Sequence, residues 1–278
     1  MKILIVANHL KPMAVKLALE IVSWLEQRGH PATVAKGDAS LRASIDHMLN
    51  TGLDCVFVLG GDGTLLKTAR EAAIAAIPIL GINLGRLGFL AELEPSEVFD
   101  CLERILTGDY IVEKRSMLDA SIYHGRHEGA VYRSLNDVVV NRASFSRIVT
   151  LDVFINDSYF ATYEGDGIIV ATPTGSTAYS LSAGGPILAP EVDGIVITPI
   201  CSHILNSRPL VVSGDSIISI ALGSVSDEVM VTVDGQEGVR LQGDSRVSIC
   251  KSSLTTQLIR TEPRHFFDVL KQKLSLIK

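Results

Sequence analysis

The first third of the chain alternates between short apolar runs and segments in which apolar residues recur at helical spacing. Short apolar runs predict buried strands at residues 3–7, 55–59 and 79–82, and residues 33–35 are a candidate for a further short strand. Helical spacing predicts helices at residues 15–25, 65–76 and 96–106, with Ser96 as the N-cap of the last one. Strands that alternate with helices indicate a Rossmann-like open parallel sheet covered by helices.

After about residue 110 the pattern changes to many short apolar segments separated by Gly, Asn, Asp and Ser. Such segments predict strands, here at residues 117–123, 130–135, 138–140, 148–155, 159–164, 168–171, 195–200, 217–222, 229–233 and 247–250. They indicate an all-β domain, sandwich-like or barrel-like. Residues 263–274 predict a short C-terminal helix that packs back on one of the domains. We therefore expect an α/β domain at residues 1–112, joined by the tail 260–278, and a β-sandwich-like domain at residues 113–259.

Composition indicates a globular protein, since 47% of the 278 residues are hydrophobic and 20% are charged. The net charge of −6 and the lack of a basic patch argue against a nucleic-acid partner. The four cysteines are far apart and none lies in a CxxC pair, so we expect free thiols, a reducing compartment and no metal site of the protein's own. No apolar run approaches the ~20 residues of a membrane helix. We expect a soluble, cytoplasmic protein with no membrane partner.

The first candidate site is a glycine loop, Gly60-Gly61-Asp62-Gly63-Thr64, which directly follows the strand predicted at residues 55–59. Glycines at a strand-to-helix turn let the backbone approach a ligand closely, and a helix N-terminus favours an anion. A carboxylate repels phosphate, so Asp62 is expected either to accept a proton from a hydroxyl or to hold a metal ion. The alternative is that Asp62 is an ordinary helix N-cap.

Two shorter segments add polar groups to this picture. Residues 83–90 follow the strand predicted at 79–82, and the loops at the carboxyl ends of parallel strands line one crevice. An ordinary glycine-containing connection is the alternative. Asn136-Asp137 could bind two hydroxyls of a ribose, although an Asx turn is the default interpretation of this pair between strands.

Lys67 lies one turn into the helix predicted after the glycine loop, so its ammonium could contact a phosphate. A solvent-exposed helix lysine is the simpler interpretation of its spacing.

The fourth segment runs from Gly165 to Pro186 and is the most distinctive. A predicted buried strand at residues 168–171 leads into residues 172–186, which are mostly Gly, Ser, Thr and Pro and include no charged residue. Backbone N–H groups and hydroxyls of such a segment can surround a nucleotide, and Tyr179 offers a face for stacking. A flexible solvent loop is the alternative, which the flanking apolar strands argue against.

In this order, the four segments resemble the NAD kinase family over nearly the whole chain. The GGDGT loop is also found in diacylglycerol-type lipid kinases and 6-phosphofructokinases, so the resemblance depends on the other three segments. It implies transfer of the terminal phosphoryl group of ATP, or of polyphosphate, to the 2′-hydroxyl of the adenosine ribose of NAD, giving NADP. It also implies Mg²⁺ bound with ATP and a homodimer or homotetramer. The chain has no Walker motif, so the ATP site is not a P-loop.

The resemblance assigns roles to particular residues. Asp62 is implied as the catalytic base, and the phosphate loop is implied to comprise Gly60, Gly61, Gly63 and Thr64. Contacts with NAD are implied for Asp62, Gly63, Lys67, Asn136, Asp137, Arg147, Glu164, Asp166, Thr177, Ala178, Tyr179, Ser180, Leu181, Ser182 and Gln236. Glu164 departs from the family pattern, because many members have arginine there, and a carboxylate would weaken a phosphate contact.

Two other functions remain as alternatives. A lipid kinase of the diacylglycerol type would explain the glycine loop and the two-domain order, but it leaves the neutral, hydroxyl-rich residues 172–186 unexplained. A non-catalytic NAD sensor would keep the fold, although binding alone gives no reason for Asp62 to face a phosphate.

Overall fold

The structure, a computed structural model, describes residues 1–35, 41–85, 88–91, 93–125, 127–143, 148–202, 207–223, 229–241, 243–261 and 266–274. The chain forms two compact units. Unit 1 comprises Met1–Arg115 and Leu254–Lys278, and unit 2 comprises Ser116–Ser253.

The helices are α1 (Pro12–Glu26), α2 (Leu41–Leu49), α3 (Asp62–Ile74), α4 (Val98–Leu106), α5 (Tyr179–Ser182) and α6 (Phe266–Leu274). The strands are β1 (Ile3–Ala7), β2 (Ala32–Val34), β3 (Cys55–Gly60), β4 (Ile79–Asn83), β5 (Ile111–His124), β6 (His127–Ser134), β7 (Asp137–Arg142), β8 (Val149–Ile155), β9 (Ser158–Gly165), β10 (Gly167–Ala171), β11 (Gly194–Ile200), β12 (Leu210–Ser213), β13 (Ile218–Leu222), β14 (Val229–Val233), β15 (Glu237–Leu241) and β16 (Ser245–Arg260).

Unit 1 contains a parallel sheet in the order β2–β1–β3–β4, which the C-terminal part of β16 continues through the pairing of Leu258 with Ile79. Helix α1 packs on β1, β2 and β3, and α3 packs on β3 and β4. Every residue of β3 is buried, with Phe57 at its centre. Burial on both faces explains why these strands are unbroken apolar runs. The predicted open parallel sheet covered by helices is confirmed.

Three local features of unit 1 differ from the predictions. Helix α2 was not predicted, because only Leu41, Ile45 and Met48 are buried among polar neighbours. Helix α3 begins at Asp62, three residues before the predicted start. The turn before α4 is capped by Glu94, which exchanges hydrogen bonds with Glu97, so Ser96 is not the N-cap.

Unit 2 is a sandwich of two sheets. One sheet has the order β9–β8–β13–β16, to which β5 and β6 are added, and the other has the order β12–β11–β10–β7–β14–β15. Alternate residues of the two sheets face each other in one core, among them Val138, Ile168, Ile220 and Val247. The predicted β-sandwich-like domain is confirmed. Strands β12 and β15 were not predicted.

The other face of the second sheet positions the site. Val139 and Ile169 point away from the sandwich core and pack with Leu188, so the segment after β10 lies over this face. Within that segment, residues 175–177 form a 3₁₀ turn and α5 follows. The predicted tail helix, α6, packs within unit 1, where the ring centroids of Phe266 and Phe89 are 6.3 Å apart.

Candidate functional site

The glycine loop occupies the turn between β3 and α3. Gly61 is the N-cap and has an extended backbone, and Asp62 is the first residue of the helix. A Cβ on Gly60 would lie 2.7 Å from Thr64 Oγ1, so glycine is needed for the strand and helix to meet this closely. The alternative that Asp62 is the helix N-cap is wrong, because Gly61 holds that position. The positive end of the helix dipole favours an ionised carboxylate on Asp62.

Asp62 lies against the backbone of Gly88, in the segment after β4. A Cβ on Gly88 would lie 2.8 Å from Asp62 Cγ and would overlap one carboxylate oxygen. Burial against this segment raises the pKa of Asp62, and the charge of Lys273 in α6 opposes the shift. The residue nevertheless keeps an exposed surface. A carboxylate with a raised pKa that solvent can reach is suited to accept a proton from a hydroxyl.

Lys11 is absent from the predicted site residues, yet its ammonium lies at the same edge of the sheet. Lys11 Nζ donates to the carbonyl of Leu84 at 3.5 Å. It lies 3.9 Å from a Cβ placed on Gly61 and 3.7 Å from one placed on Gly85. The loops that follow β1, β3 and β4 therefore meet at this ammonium. An ammonium group is compact and carries several N–H donors, so it is suited to bind the oxygen atoms of a phosphate chain.

Two other side chains border the glycine loop. Asn8 Nδ2 donates to Thr64 Oγ1 at 3.3 Å, which ties the loop after β1 to the first turn of α3. Lys67 lies in α3 and is half-buried. Gly63 is exposed in the first turn of the same helix.

Unit 2 contains a cleft of about 370 Å³ on the outer face of its second sheet. It is lined by Asn136, Asp137, Val139, Asn141, Ala178, Tyr179, Thr232, Asp234 and Gly235. Alternate residues of β7 point into it, and the segment after β10 supplies one wall. The predicted NAD contacts Asn136, Asp137, Ala178 and Tyr179 are therefore brought together in one cleft.

The carboxyl groups decide the chemistry of this cleft. Asp137 is buried, and this burial together with the negative charge of Asp234 raises the pKa of Asp137 to about 7. Asp234 was not predicted, and its carboxylate accepts hydrogen bonds from the backbone N–H groups of residues 135–137. Carboxylates repel phosphate but accept hydrogen bonds from hydroxyls. The cleft therefore suits the ribose of a nucleotide better than its phosphates.

The hydroxyl-rich segment, residues 172–186, is stabilised by hydrogen bonds that its hydroxyls form with other groups of the protein. Ser176 Oγ donates to the carbonyl of Pro173 at 2.6 Å and accepts from the N–H of Leu188 at 3.0 Å. Ser180 is fully buried, and its hydroxyl is 2.9 Å from that of Thr198. These buried hydroxyls stabilise the segment rather than offer themselves to solvent.

Tyr179 is an exposed aromatic member of that segment, with 45% of its surface accessible. Partial burial raises its pKa, as do the charges that Cys201, Asp166 and Asp137 carry when they are ionised. Its neutral ring therefore borders an acidic surface and offers an apolar face to a base.

Comparison with known proteins decides the family. The model of the ATP-NAD kinase N-terminal domain matches residues 3–110, and that of the ATP-NAD kinase C-terminal domain matches residues 135–261. The NAD kinase of Geotalea daltonii is 43% identical over 278 residues, which cover 98% of each chain. The chain belongs to the NAD kinase family. The NAD kinase of Caldanaerobacter subterraneus subsp. tengcongensis is 41% identical over 279 residues, which cover 99% of each chain.

Solved structures of NAD kinases share the fold. Yeast NADH kinase complexed with NADH has a TM-score of 0.86 at 22% identity, covering 99% of this chain and 88% of that one. The NAD kinase of Archaeoglobus fulgidus in complex with ATP has a TM-score of 0.77 at 24% identity, covering 100% of both chains. The comparisons confirm the predicted family and give no support to a lipid kinase or a sensor. The chain is a kinase.

Among the described residues, the others implied by the resemblance to NAD kinases are absent from the cleft lining. Asp166 is half-buried and forms an ion pair with Arg142 Nε at 3.0 Å. Glu164 is exposed on β9, and Gln236 is exposed in the turn between β14 and β15. Arg147 lies outside the described residues. Within α5 and the turn before it, Thr177 and Leu181 are half-buried and Ser182 is exposed.

Two kinds of feature are absent from the residues that the structure describes. None of their helices has both the length and the apolar character needed to cross a membrane. No three side chains among the described His, Cys, Asp and Glu residues are grouped as metal ligands would be.

Proposed function

We propose that this member of the NAD kinase family transfers the terminal phosphoryl group of ATP to the 2′-hydroxyl of the adenosine ribose of NAD, giving NADP. The observation that carries the proposal is the carboxylate of Asp62, which packs on Gly88 at the glycine loop with a raised pKa and an exposed surface. A ribose hydroxyl is a weak nucleophile, so a base that removes its proton during attack accelerates the transfer.

The cleft of unit 2 is the proposed binding site for NAD. Asn136 and Asp137 are proposed to bind ribose hydroxyls, since an amide and a carboxylate together offer both donors and acceptors. Ala178 and Tyr179 are proposed to contact the adenosine. The other proposed contacts are Lys67, Arg147, Glu164, Asp166, Thr177, Ser180, Leu181, Ser182 and Gln236. The all-β unit is thus proposed as the NAD-binding domain.

The glycine loop is the proposed site for the donor. Its phosphates are proposed to lie along residues 60–64, where backbone N–H groups at the start of α3 are available. Lys11 is proposed to contact the phosphate chain, because its ammonium lies beside Gly61 and its hydrogen bond to the carbonyl of Leu84 is long, at 3.5 Å. Mg²⁺ is proposed to arrive as part of the ATP substrate, where it neutralises phosphate charge. Polyphosphate is the alternative donor.

In the proposed step, Asp62 accepts the proton of the 2′-hydroxyl while the ribose oxygen forms a bond to the terminal phosphorus. The bond between that phosphorus and the bridging oxygen breaks, and ADP leaves with the electron pair. Asp62 then releases its proton to solvent, which its exposed surface allows. Positioning and charge neutralisation supply most of the remaining acceleration in such transfers.

A homodimer or homotetramer is proposed as the working form. Support comes from β9, an edge strand of its sheet, where Tyr159 is 61% exposed and Phe160 is 44% exposed. Apolar side chains on an edge strand favour pairing with another copy. The product, NADP, places the proposed reaction in NADP biosynthesis.

The proposal is tested by incubating the purified full chain with NAD and Mg²⁺–ATP and measuring NADP by chromatography. Parallel reactions contain polyphosphate in place of ATP, or NADH in place of NAD. NADP formation that needs the donor is the expected result. Binding of NAD without product from either donor would overturn the proposal in favour of a sensor.

A further inference from the structure

Asp234 lies in the turn between β14 and β15, and its carboxylate reaches the bend at residues 135–137. Asp234 Oδ2 accepts a hydrogen bond from the N–H of Leu135 at 3.1 Å. Asp234 Oδ1 accepts from the N–H of Asn136 at 2.8 Å and from that of Asp137 at 3.2 Å. In return, the N–H of Asp234 donates to the carbonyl of Asp137 at 3.0 Å. One side chain therefore satisfies three successive backbone donors.

The backbone of Asp234 is left-handed, a conformation that aspartate adopts more readily than most residues. Its φ of 49° lies in the left-handed region, which favours glycine. The residue is only 8% exposed, and a buried carboxylate is unfavourable unless donors surround it. The three N–H groups of the 135–137 bend are such donors. The cost of burying this carboxylate is thus offset by the hydrogen bonds with which it holds the bend.

The carbonyl groups of the same bend are held from the other side by Thr172. Its hydroxyl donates to the carbonyl of Leu135 at 2.7 Å, and its N–H donates to the carbonyl of Asn136 at 2.9 Å. Gly175 packs on the bend so closely that a Cβ there would overlap the carbonyl oxygen of Asn136. The backbone polar groups of the bend are therefore engaged by the protein, while the side chains of Asn136 and Asp137 line the cleft.

We infer that Asp234 is a positioning residue for NAD, which holds the 135–137 bend so that Asn136 and Asp137 are already arranged for the ribose hydroxyls. Thr172 holds the bend from its carbonyl side. The inference rests on the proposed function, in which these two side chains bind the acceptor. A preformed site loses less conformational freedom when the ligand binds. Release of the bend therefore weakens the binding of NAD and leaves the binding of ATP unchanged.

The test compares Asp234→Asn with Asp157→Asn in the full chain. The amide of the first variant loses the negative charge, and its NH2 group replaces one of the two accepting oxygens, so at least one of the three hydrogen bonds is lost. Asp157 is a matched control, because it has a φ of 62° in the exposed turn between β8 and β9. We measure KM for NAD, KM for ATP, and hydrogen exchange of the amides at residues 135–137 without substrate. For Asp234→Asn we expect KM for NAD to rise at least about tenfold and the amides to exchange faster.

An unchanged KM for ATP separates positioning from general damage to the fold. A folded Asp234→Asn protein with parental KM for NAD would overturn the inference, and so would equal rises in both KM values. If that variant does not fold, Thr172→Val is compared with Thr172→Ser, which keeps the hydroxyl. A rise in KM for NAD in Thr172→Val but not in Thr172→Ser supports the inference. A parental KM for NAD in Thr172→Val overturns it. If the parent forms no NADP, the proposed function fails, while the exchange data still test whether Asp234 holds the bend.

Discussion

The carboxylate of Asp62 rests on the backbone of Gly88, in space that any side chain at that position would occupy. Gly88→Ala should therefore displace the proposed base while leaving the rest of α3 in place. Misplacing a catalytic group by about 1 Å can lower a rate by roughly 10²-fold. We expect kcat to fall by that order, as measured by steady-state NADP formation.

Gly85→Ala is the matched comparison, because a Cβ at Gly85 has Lys11 Nζ as its nearest neighbour at an ordinary 3.7 Å. Its kcat should remain far closer to that of the parent. Equal losses in the two variants would contradict the proposed relation between Gly88 and Asp62.

Removing the base itself is the second test. Asp62→Asn keeps the size of the side chain but cannot accept the proton, so kcat should fall by about 10²–10⁴-fold. Titration calorimetry should show that NAD still binds. Asp54→Asn, at the other end of β3, should leave kcat near the parental value. A fully active Asp62→Asn protein would exclude the proposed general base.

Lys11 should contribute to the binding of ATP. Lys11→Met keeps the apolar stem and removes the ammonium that lies beside Gly61 and Leu84. A charge-assisted hydrogen bond typically contributes about 1.5–3 kcal/mol, so KM for ATP should rise roughly 10- to 100-fold. Lys16→Met changes a side chain on α1 that is 80% exposed and should have little effect. A rise in KM for NAD instead would place Lys11 at the acceptor.

The pKa of Asp137, raised to about 7, predicts pH-dependent binding of NAD. The ionised carboxylate accepts hydrogen bonds from ribose hydroxyls, and the ionised fraction increases as pH rises through 7. Apparent affinity follows the competent fraction, so Kd for NAD should fall about tenfold between pH 6 and pH 8. Asp137→Asn should bind NAD with a flat pH profile, as measured by calorimetry. The same slope in both proteins would assign the titration to another group.

The same pKa predicts how stability depends on pH. The folded state binds a proton at Asp137 up to about pH 7, whereas the ordinary pKa of this group is 3.8. Folding therefore takes up a proton in this window, and the contribution of Asp137 to stability decreases as pH rises through it. The Tm of Asp137→Asn, relative to that of the parent, should increase between pH 5 and pH 8. A constant difference would show that Asp137 titrates normally.

Strands that are buried on both faces were readable from the sequence. Residues 55–59 are buried on both faces and therefore form an unbroken apolar run, which is readable without a structure. Strand β15 escaped prediction because Glu237 and Arg240 alternate with few apolar residues. Only Leu241 is fully buried in that strand, so its assignment depends on pairing with β14.

Within the candidate site, likewise, some residues could be predicted from the sequence and others could not. The residue types of the glycine loop and of Asn136-Asp137 are chemically distinctive, so they stand out in the sequence. Asp234 precedes a glycine and is typical of a turn, and its contact with residues 135–137 depends on how distant strands pair. Lys11 likewise meets Gly61 only because β1 lies beside β3 in the sheet. Contacts that depend on the order of strands in a sheet cannot be predicted from the spacing of residues along the sequence.

The parallel sheet of unit 1 takes its last strand from β16, long after β4 has been synthesised. Unit 2 lies between the two in sequence, so on the ribosome it can finish folding while the Ile79 end of β4, which Leu93 does not bridge, still lacks its partner strand. Exposed edges of this kind recruit strands from other chains. A nascent or truncated chain that stops before Leu254 would thus carry every residue proposed for the site and still be prone to aggregate. The pairing of Leu258 with Ile79 thus completes the sheet only after every residue proposed for the site has been synthesised.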